Sequence, residues 1–273
     1  MVLNSLLVLG GMGFVFAVAL AIAAKLLAVE RDPRIDLVQE ALPGANCGAC
    51  GFPGCAGLAT AIVEGGAACD KCPVGGKSVA EKIVQIMCLN VSIDMKPKYA
   101  RLMCAGGKGV AKDAGEYKGI MDCVAAHNVS GGFKACSYGC LGLATCVKAC
   151  PFDAMYMGED DLPKIDDAKC TGCGKCVEVC PRHLLTLRAK DEQVNVLCIS
   201  KAPLPKSKAD CAAVCIGCQI CVKNCPTQCI RMDGTVAVID NSSCTKCGIC
   251  VQKCPVKCIH NVFGEDSDLV VQA

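Results

Sequence analysis

The run Cys170-Thr-Gly-Cys173-Gly-Lys-Cys176-Val-Glu-Val-Cys180-Pro181 recurs as Cys244-Thr-Lys-Cys247-Gly-Ile-Cys250-Val-Gln-Lys-Cys254-Pro255. No other feature limits so strongly what this chain can fold into. Both runs read C-x2-C-x2-C-x3-C-P. Three thiols at three-residue steps wrap one polynuclear centre, and the fourth, before proline, serves the other centre of a pair; this is the ligand pattern of 4Fe-4S clusters. Cysteine supplies 28 of the 273 residues, a share that in a short secreted chain suggests disulfides. Length opposes that reading, because a chain of this size can form about two domains or several small modules without covalent staples. Zinc is the stronger rival, since C-x2-C pairs are also its signature, but zinc ribbons use two separated pairs.

Aligning the last half of the chain on itself exposes a duplication with a period of 75, in which Cys140, Cys146 and Cys150 match Cys215, Cys221 and Cys225. Each copy is a pair of motifs that exchange their last cysteines. In the second copy Cys215, Cys218 and Cys221 share a cluster with Cys254, and Cys244, Cys247 and Cys250 share one with Cys225. In the first, Cys170, Cys173 and Cys176 take Cys150. The remaining set lacks a thiol, because Leu143 stands where Cys218 is expected. Cys136, four residues before Cys140, is the natural substitute, which predicts the set Cys136, Cys140, Cys146 and Cys180. Cys211 occupies the matching place in the second copy, where the set is already complete, and is assigned to none.

Nearer the N-terminus stands Asn46-Cys47-Gly-Ala-Cys50-Gly-Phe-Pro-Gly-Cys55, with Cys72-Pro73 beyond it. Its glycines permit positive backbone angles and close approach, so that amide hydrogens can face sulfur. Cys47, Cys50, Cys55 and Cys72 form the fifth predicted set. Cys69 competes for the last place, and the proline after Cys72 favours the latter. Short helices are expected over Ala56 to Val63 and Ser78 to Met87, and strands over Val194 to Ile199 and Thr235 to Ile239. Cys229 and Cys258 fall where the first copy has Ala154 and Leu184, and read as core side chains. Cys88, Cys104, Cys123 and Cys198 are unassigned, either inert buried thiols or members of an unexpected redox site.

Leu6 to Ala24 is free of charge and long enough, at about 28 Å as a helix, to cross a bilayer core. A cleaved signal peptide is the alternative, but no basic residue precedes the run. Lys25, Arg31 and Arg34 follow it, which places the rest of the chain on the cytoplasmic side of the membrane. The expected fold is α+β: a single N-terminal transmembrane helix (1–28), a small 4Fe-4S domain (29–92), a connecting segment (93–132), and tandem bacterial-type 2[4Fe-4S] ferredoxin modules (133–190 and 191–273). Five 4Fe-4S clusters are expected. With no Trp and few aromatics, such modules draw much of their folding energy from their metal.

The three histidines, His127, His183 and His260, accompany no nucleophile or paired carboxylate, and no phosphate loop or dinucleotide fingerprint occurs. No catalytic residue is therefore expected, and one-electron transfer is the predicted chemistry. The balance of 28 basic and 26 acidic residues gives no case for nucleic acid. Between Arg188 and His260, however, ten Lys or Arg face five Asp or Glu. That bias reads as a solvated face or as a docking surface for an acidic electron carrier.

The N-terminal apolar helix, the Asn46 to Cys55 motif with Cys72, and the ferredoxin tandem together resemble the B subunit of the Rnf complex, an ion-translocating ferredoxin:NAD oxidoreductase. The segment Gly131-Gly-Phe-Lys-Ala-Cys136-Ser-Tyr-Gly-Cys140-Leu-Gly-Leu143 is similar to the clostridial-type form with two ferredoxin modules. The resemblance also supports Cys72 as the fourth ligand of its set. It implies an electron-entry subunit that accepts electrons from reduced ferredoxin and relays them to flavin-containing membrane subunits and an NAD-reducing subunit, with sodium or proton translocation. The alternative is a membrane-tethered polyferredoxin of a different, non-pumping oxidoreductase.

Overall fold

The computed structural model describes residues 2–26 and 31–262, with side chains of the first helix given from Gly10 to Lys25. That helix, α1, spans Val2–Leu26. Met12, Phe14, Val15, Phe16, Val18, Leu20 and Ile22 are exposed on every side of it, unlike the single apolar stripe of a helix lying on a core. Among the described residues no helix is long and apolar enough to cross a membrane. The expected span from Leu6 begins in side chains outside those described.

Three helices build the first globular unit: α2 (Pro33–Ala41), α3 (Gly54–Val63) and α4 (Gly76–Ile86). The Asp32 carboxylate accepts the Arg34 amide at 2.9 Å and Pro33 opens the first turn, a combination that starts a helix because proline's missing N–H would have had no partner there. Val38, Leu42, Leu58, Ala59, Ile62 and Ile83 form its core, with Cys50, Cys55 and Cys72 packed at the margin.

The next elements are β1 (Lys98–Leu102), α5 (Cys123–Asn128), α6 (Thr145–Lys148), β2 (Met155–Met157), β3 (Pro163–Ile165), α7 (Lys175–Glu178) and β4 (Leu185–Ala189). After them come β5 (Val194–Val196), α8 (Leu204–Asp210), α9 (Ile220–Lys223), β6 (Ile230–Asp233), β7 (Val236–Ile239), α10 (Ile249–Lys253) and β8 (Ile259–Asn261). Both halves share one topology. The first and last strands pair antiparallel, β1 with β4 and β5 with β8, while β2–β3 and β6–β7 form inner hairpins. The core of the first half is Ala100, Met155, Cys176 and Leu185; that of the second includes Val194, Ile230, Val236, Cys258 and Ile259.

Residues 93–132 do more than connect. They supply β1, which pairs along its whole length from Lys98↔Ala189 to Leu102↔Leu185, and α5, whose Ala126 is fully buried against Leu141 and Leu143. The first module therefore begins at its own outer strand, as the second begins at β5. Five residues with one long aliphatic side chain carry no periodic signal, and only the partner strand makes them a strand.

The duplication extends to individual backbone angles. Ala144, Gly174, Gln219 and Gly248, each preceding a short motif helix, all have positive φ, as do Asp153, His183, Gln228 and Lys257, each three residues past a Cys-Pro cysteine. Six of the eight are not glycine, and the left-handed region costs such residues about 1–2 kcal/mol each. Small modules with little apolar core keep such a conformation when a bound group offsets it.

Candidate metal centres

In the first unit Asn46 closes the ligand loop. Its Oδ1 accepts the Cys55 amide at 2.8 Å, and a side chain at Gly54 would stand 2.8 Å from that oxygen. With φ +85° as well, position 54 requires glycine. Burial pushes the Cys72 thiol up, and the adjacent Cys50 and Cys55 sulfurs push the same way; the Gly75 amide donates to Cys72 Sγ at 3.4 Å. Cys69 is also raised by burial, but its charged neighbour is Asp70. The Cys50 and Cys55 sulfurs thus act on Cys72, while Cys69 packs against the same core.

Cys150, Cys170, Cys173 and Cys176 converge in the first module. Burial raises Cys176 to about 12, reinforced by the sulfurs of Cys170, Cys173 and Cys150. Amides of Ala100 and Ala154 donate to Cys170 Sγ and Cys150 Sγ at 3.5 and 3.4 Å. In the second module Cys215, Cys218 and Cys254 surround Cys221, whose thiol is raised first by burial. Cys225, Cys244, Cys247 and Cys250 line one small cavity. Cys229 and Cys258 lie in the core with sulfurs 3.5 and 3.7 Å from Cys225 and Cys254. Hydrogen bonding with the Cys258 sulfur lowers Cys254 to about 5 and Cys215 to about 6, so the buried Cys258 lies beside two predicted ligand sulfurs.

Around Cys140 the thiols that line one cavity are not the four expected to form a set. A small cavity is lined by Cys140, Cys146, Cys180 and Cys123; Cys136 is not among its walls. Burial raises Cys146 to about 11, and the neighbouring Cys123 and Cys180 sulfurs push the same way. Cys123 is positioned by Asp122, which caps α5 through the Val124 and Ala125 amides and accepts the Thr145 hydroxyl at 2.8 Å, while the Cys123 amide donates to Thr145 Oγ1 at 2.6 Å. Leu143 packs on α5, so the helix that covers the missing ligand position also brings the replacement thiol. Cys136 instead lines a second cavity with Cys104, Cys198 and Cys211. In the sequence Cys123 is visible only as an unassigned thiol after a capping Asp, and nothing in the linear spacing ties it to Cys140.

The residues fit an iron-sulfur cofactor. Largely half-buried thiols line cavities with backbone amides aimed at sulfur, also at Cys180 (Leu184, 3.5 Å) and Cys244 (Lys246, 3.4 Å). Among the described residues no three His, Cys, Asp or Glu side chains are gathered tightly enough for a single metal ion.

The paired outer strands, inner hairpins and exchanged cysteines define an electron-transfer protein built from ferredoxin-type iron-sulfur modules. Family models described as "Putative Fe-S cluster", "4Fe-4S binding domain" and "4Fe-4S dicluster domain" match residues 42–74, 163–186 and 214–258. The chain is 48% identical over 246 residues to the B subunit of the Na(+)-translocating ferredoxin:NAD(+) oxidoreductase complex of Acetobacterium woodii, covering 89% of this chain and 74% of that one. It is 44% identical to the B subunit of an ion-translocating oxidoreductase complex of Methanosarcina acetivorans (89% and 91% covered) and 41% identical to that of the proton-translocating ferredoxin:NAD(+) oxidoreductase complex of Clostridium ljungdahlii (89% and 86%). The chain belongs to this family, the B subunits of Rnf complexes.

Proposed function

We propose that this chain accepts electrons from reduced ferredoxin and relays them to membrane partners for NAD reduction coupled to sodium or proton translocation. The relatives from Acetobacterium and Clostridium carry those activities in their names. Their coupling ions differ, and nothing in this chain selects between them. Five 4Fe-4S clusters are held by Cys47, Cys50, Cys55 and Cys72; by Cys123, Cys140, Cys146 and Cys180; by Cys150, Cys170, Cys173 and Cys176; by Cys215, Cys218, Cys221 and Cys254; and by Cys225, Cys244, Cys247 and Cys250. Such clusters supply one-electron oxidation and reduction, with potentials tuned by hydrogen bonds to sulfur and by solvent exposure.

The observation that carries this reading is the meeting of the first two units. Cys47 lies close enough to Cys173 and Lys175 to act on both, and Cys50, Cys170 and Cys173 line one cleft. The N-terminal set, next in the chain to α1, therefore adjoins the ferredoxin tandem and is the exit. Entry lies at the far module, where Cys218 and Cys247 are exposed. Helix α1 anchors the chain through Leu6 to Ala24, with the modules on the cytoplasmic side; its exposed apolar side chains support that assignment. Flavin-containing membrane subunits and an NAD-reducing subunit are the expected partners.

The test is a Cys47→Ser or Cys50→Ser variant in the assembled complex. Reduced ferredoxin should still reduce the distal clusters, followed by their spectra, while NAD reduction falls by about a hundredfold or more once the exit cluster is lost. Unchanged NAD reduction would sink the proposed exit.

A further inference from the structure

Four cysteines that belong to none of the five sets meet where the two modules join. Cys104, Cys136, Cys198 and Cys211 line one small cavity, as do the thiols of the Cys225 set and of the Cys140 set. The rest of its wall is chiefly apolar, including Met103, Leu184, Leu197 and Val214. We propose that these four thiols hold a sixth 4Fe-4S cluster, shared equally by the two ferredoxin modules.

The arrangement has the symmetry of the duplication. Cys104 stands two residues beyond β1 and Cys198 two residues beyond β5, the matching outer strands. Cys136 and Cys211 are related by the same 75-residue period that relates Cys140 to Cys215. Each module therefore donates the same two positions. A thiol at 211 that is redundant within its own module, and one at 136 displaced by Cys123, acquire a common purpose.

The local backbone is shaped for a ligand. The Gly106 amide donates to Cys104 Sγ at 3.4 Å, as amides do at Cys72, Cys150 and Cys180. A side chain at Gly106 would stand 3.2 Å from Cys211 Sγ and 3.6 Å from Cys104 Sγ. Glycine keeps that approach to the two sulfurs open. The modules are stitched around the site by Ala105 N–H to Leu197 O at 3.0 Å, Lys112 N–H to Asp210 O at 2.8 Å and Ala212 N–H to Val110 O at 3.0 Å. These bonds fix thiols from both modules in one geometry before any metal arrives.

The site also touches the inner set of each module. The Cys140 amide faces the Cys104 sulfur, and the Cys215 amide faces the Cys198 sulfur. Cys140 and Cys215 are again equivalent positions. Its role, which rests on the relay proposed above, is to take one electron from the Cys215 set and give one to the Cys140 set, with no bond made or broken and no proton required. Without it the two modules face each other across an apolar boundary.

Iron and acid-labile sulfide in the anaerobically purified full chain test the site independently of the relay. The expected content is about twenty-four iron atoms per chain, and a Cys104→Ala/Cys198→Ala variant should hold about twenty. Native mass spectrometry of the unmodified chain gives the same count without relying on a variant's folding. About twenty iron atoms in the unmodified chain would overturn the proposal. So would one zinc atom at the site, or alkylation mapping that finds these four cysteines as two disulfides. If the sixth cluster is present but the double variant still passes electrons from ferredoxin to the Cys47 set at the unmodified rate, the site stands and its place in the relay falls.

Discussion

Cys123 shows how a single side chain can be invisible to spacing yet line a cavity with three predicted ligands. It reaches the Cys140, Cys146 and Cys180 cavity because Asp122 and Thr145 hold the start of α5 beside Cys146. A Cys123→Ser substitution should remove or convert the cluster of that set, with a loss of about one to four iron atoms and a changed paramagnetic spectrum, while Cys69→Ser leaves iron content unaltered. Equal iron in both variants would return the fourth place to another thiol. Arg182 is a second residue whose role depends on where it lies. Its guanidinium donates to the carbonyls of Cys136, Gly139 and Gly131 and stands near the sulfurs of Cys104, Cys123, Cys136 and Cys140. A buried cation is costly unless opposite charge lies nearby; among these sulfurs it offsets the negative charge that thiolate ligation brings.

At the level of elements, β1 carries the junction between modules. Arg101 on that strand is 7% exposed and donates to Val262 O at 2.8 Å, to Ala100 O at 2.7 Å and to both Asp167 carboxylate oxygens at 2.6 Å. Val262 lies just past β8, so one side chain ties the outer strand of the first module to the end of the second. Hydrogen bonds to charged groups contribute about 1.5–3 kcal/mol each, and leaving buried partners unmet costs more. Arg101→Ala should therefore destabilise the chain by about 2–4 kcal/mol, read as several-fold faster loss of cluster absorbance in guanidinium. An unchanged rate would mean that the junction does not limit unfolding. The expected α3 and α4 and the strands at 194–199 and 235–239 emerge in the structure as Gly54–Val63, Gly76–Ile86, Val194–Val196 and Val236–Ile239. β1 and α5 do not stand out in the sequence. Their apolar residues are few, and long-range pairing with β4, Leu141 and Leu143 decides their conformation.

Across the whole molecule the relay proposed above runs from the exposed Cys218 and Cys247 to Cys47 in the unit that follows α1. Lys206, Lys208, Lys223, Arg231, Lys246, Lys253 and Lys257 are all exposed on the second module, whereas Lys201 there is paired with Asp233 at 2.8 Å. Such a face would speed encounter with an acidic carrier. A Lys246→Glu/Lys253→Glu variant should slow reduction by ferredoxin about tenfold at low salt, with the difference shrinking as ionic strength rises. Rates independent of both charge and salt would place docking elsewhere.

The sequence alone determined the iron-sulfur chemistry and the tandem modules, because cluster ligation is written in spacings of two and three residues that survive any global arrangement. It also carried the family resemblance that the relatives support. Tertiary structure decided which thiols meet across long separations: Cys123 with Cys140, and Cys104, Cys136, Cys198 and Cys211 with one another. Those groupings depend on two modules packing through matching outer strands and on α5 folding over Leu143. No local spacing encodes them, since the chain that separates the ligands sets its own path only when both modules are in place.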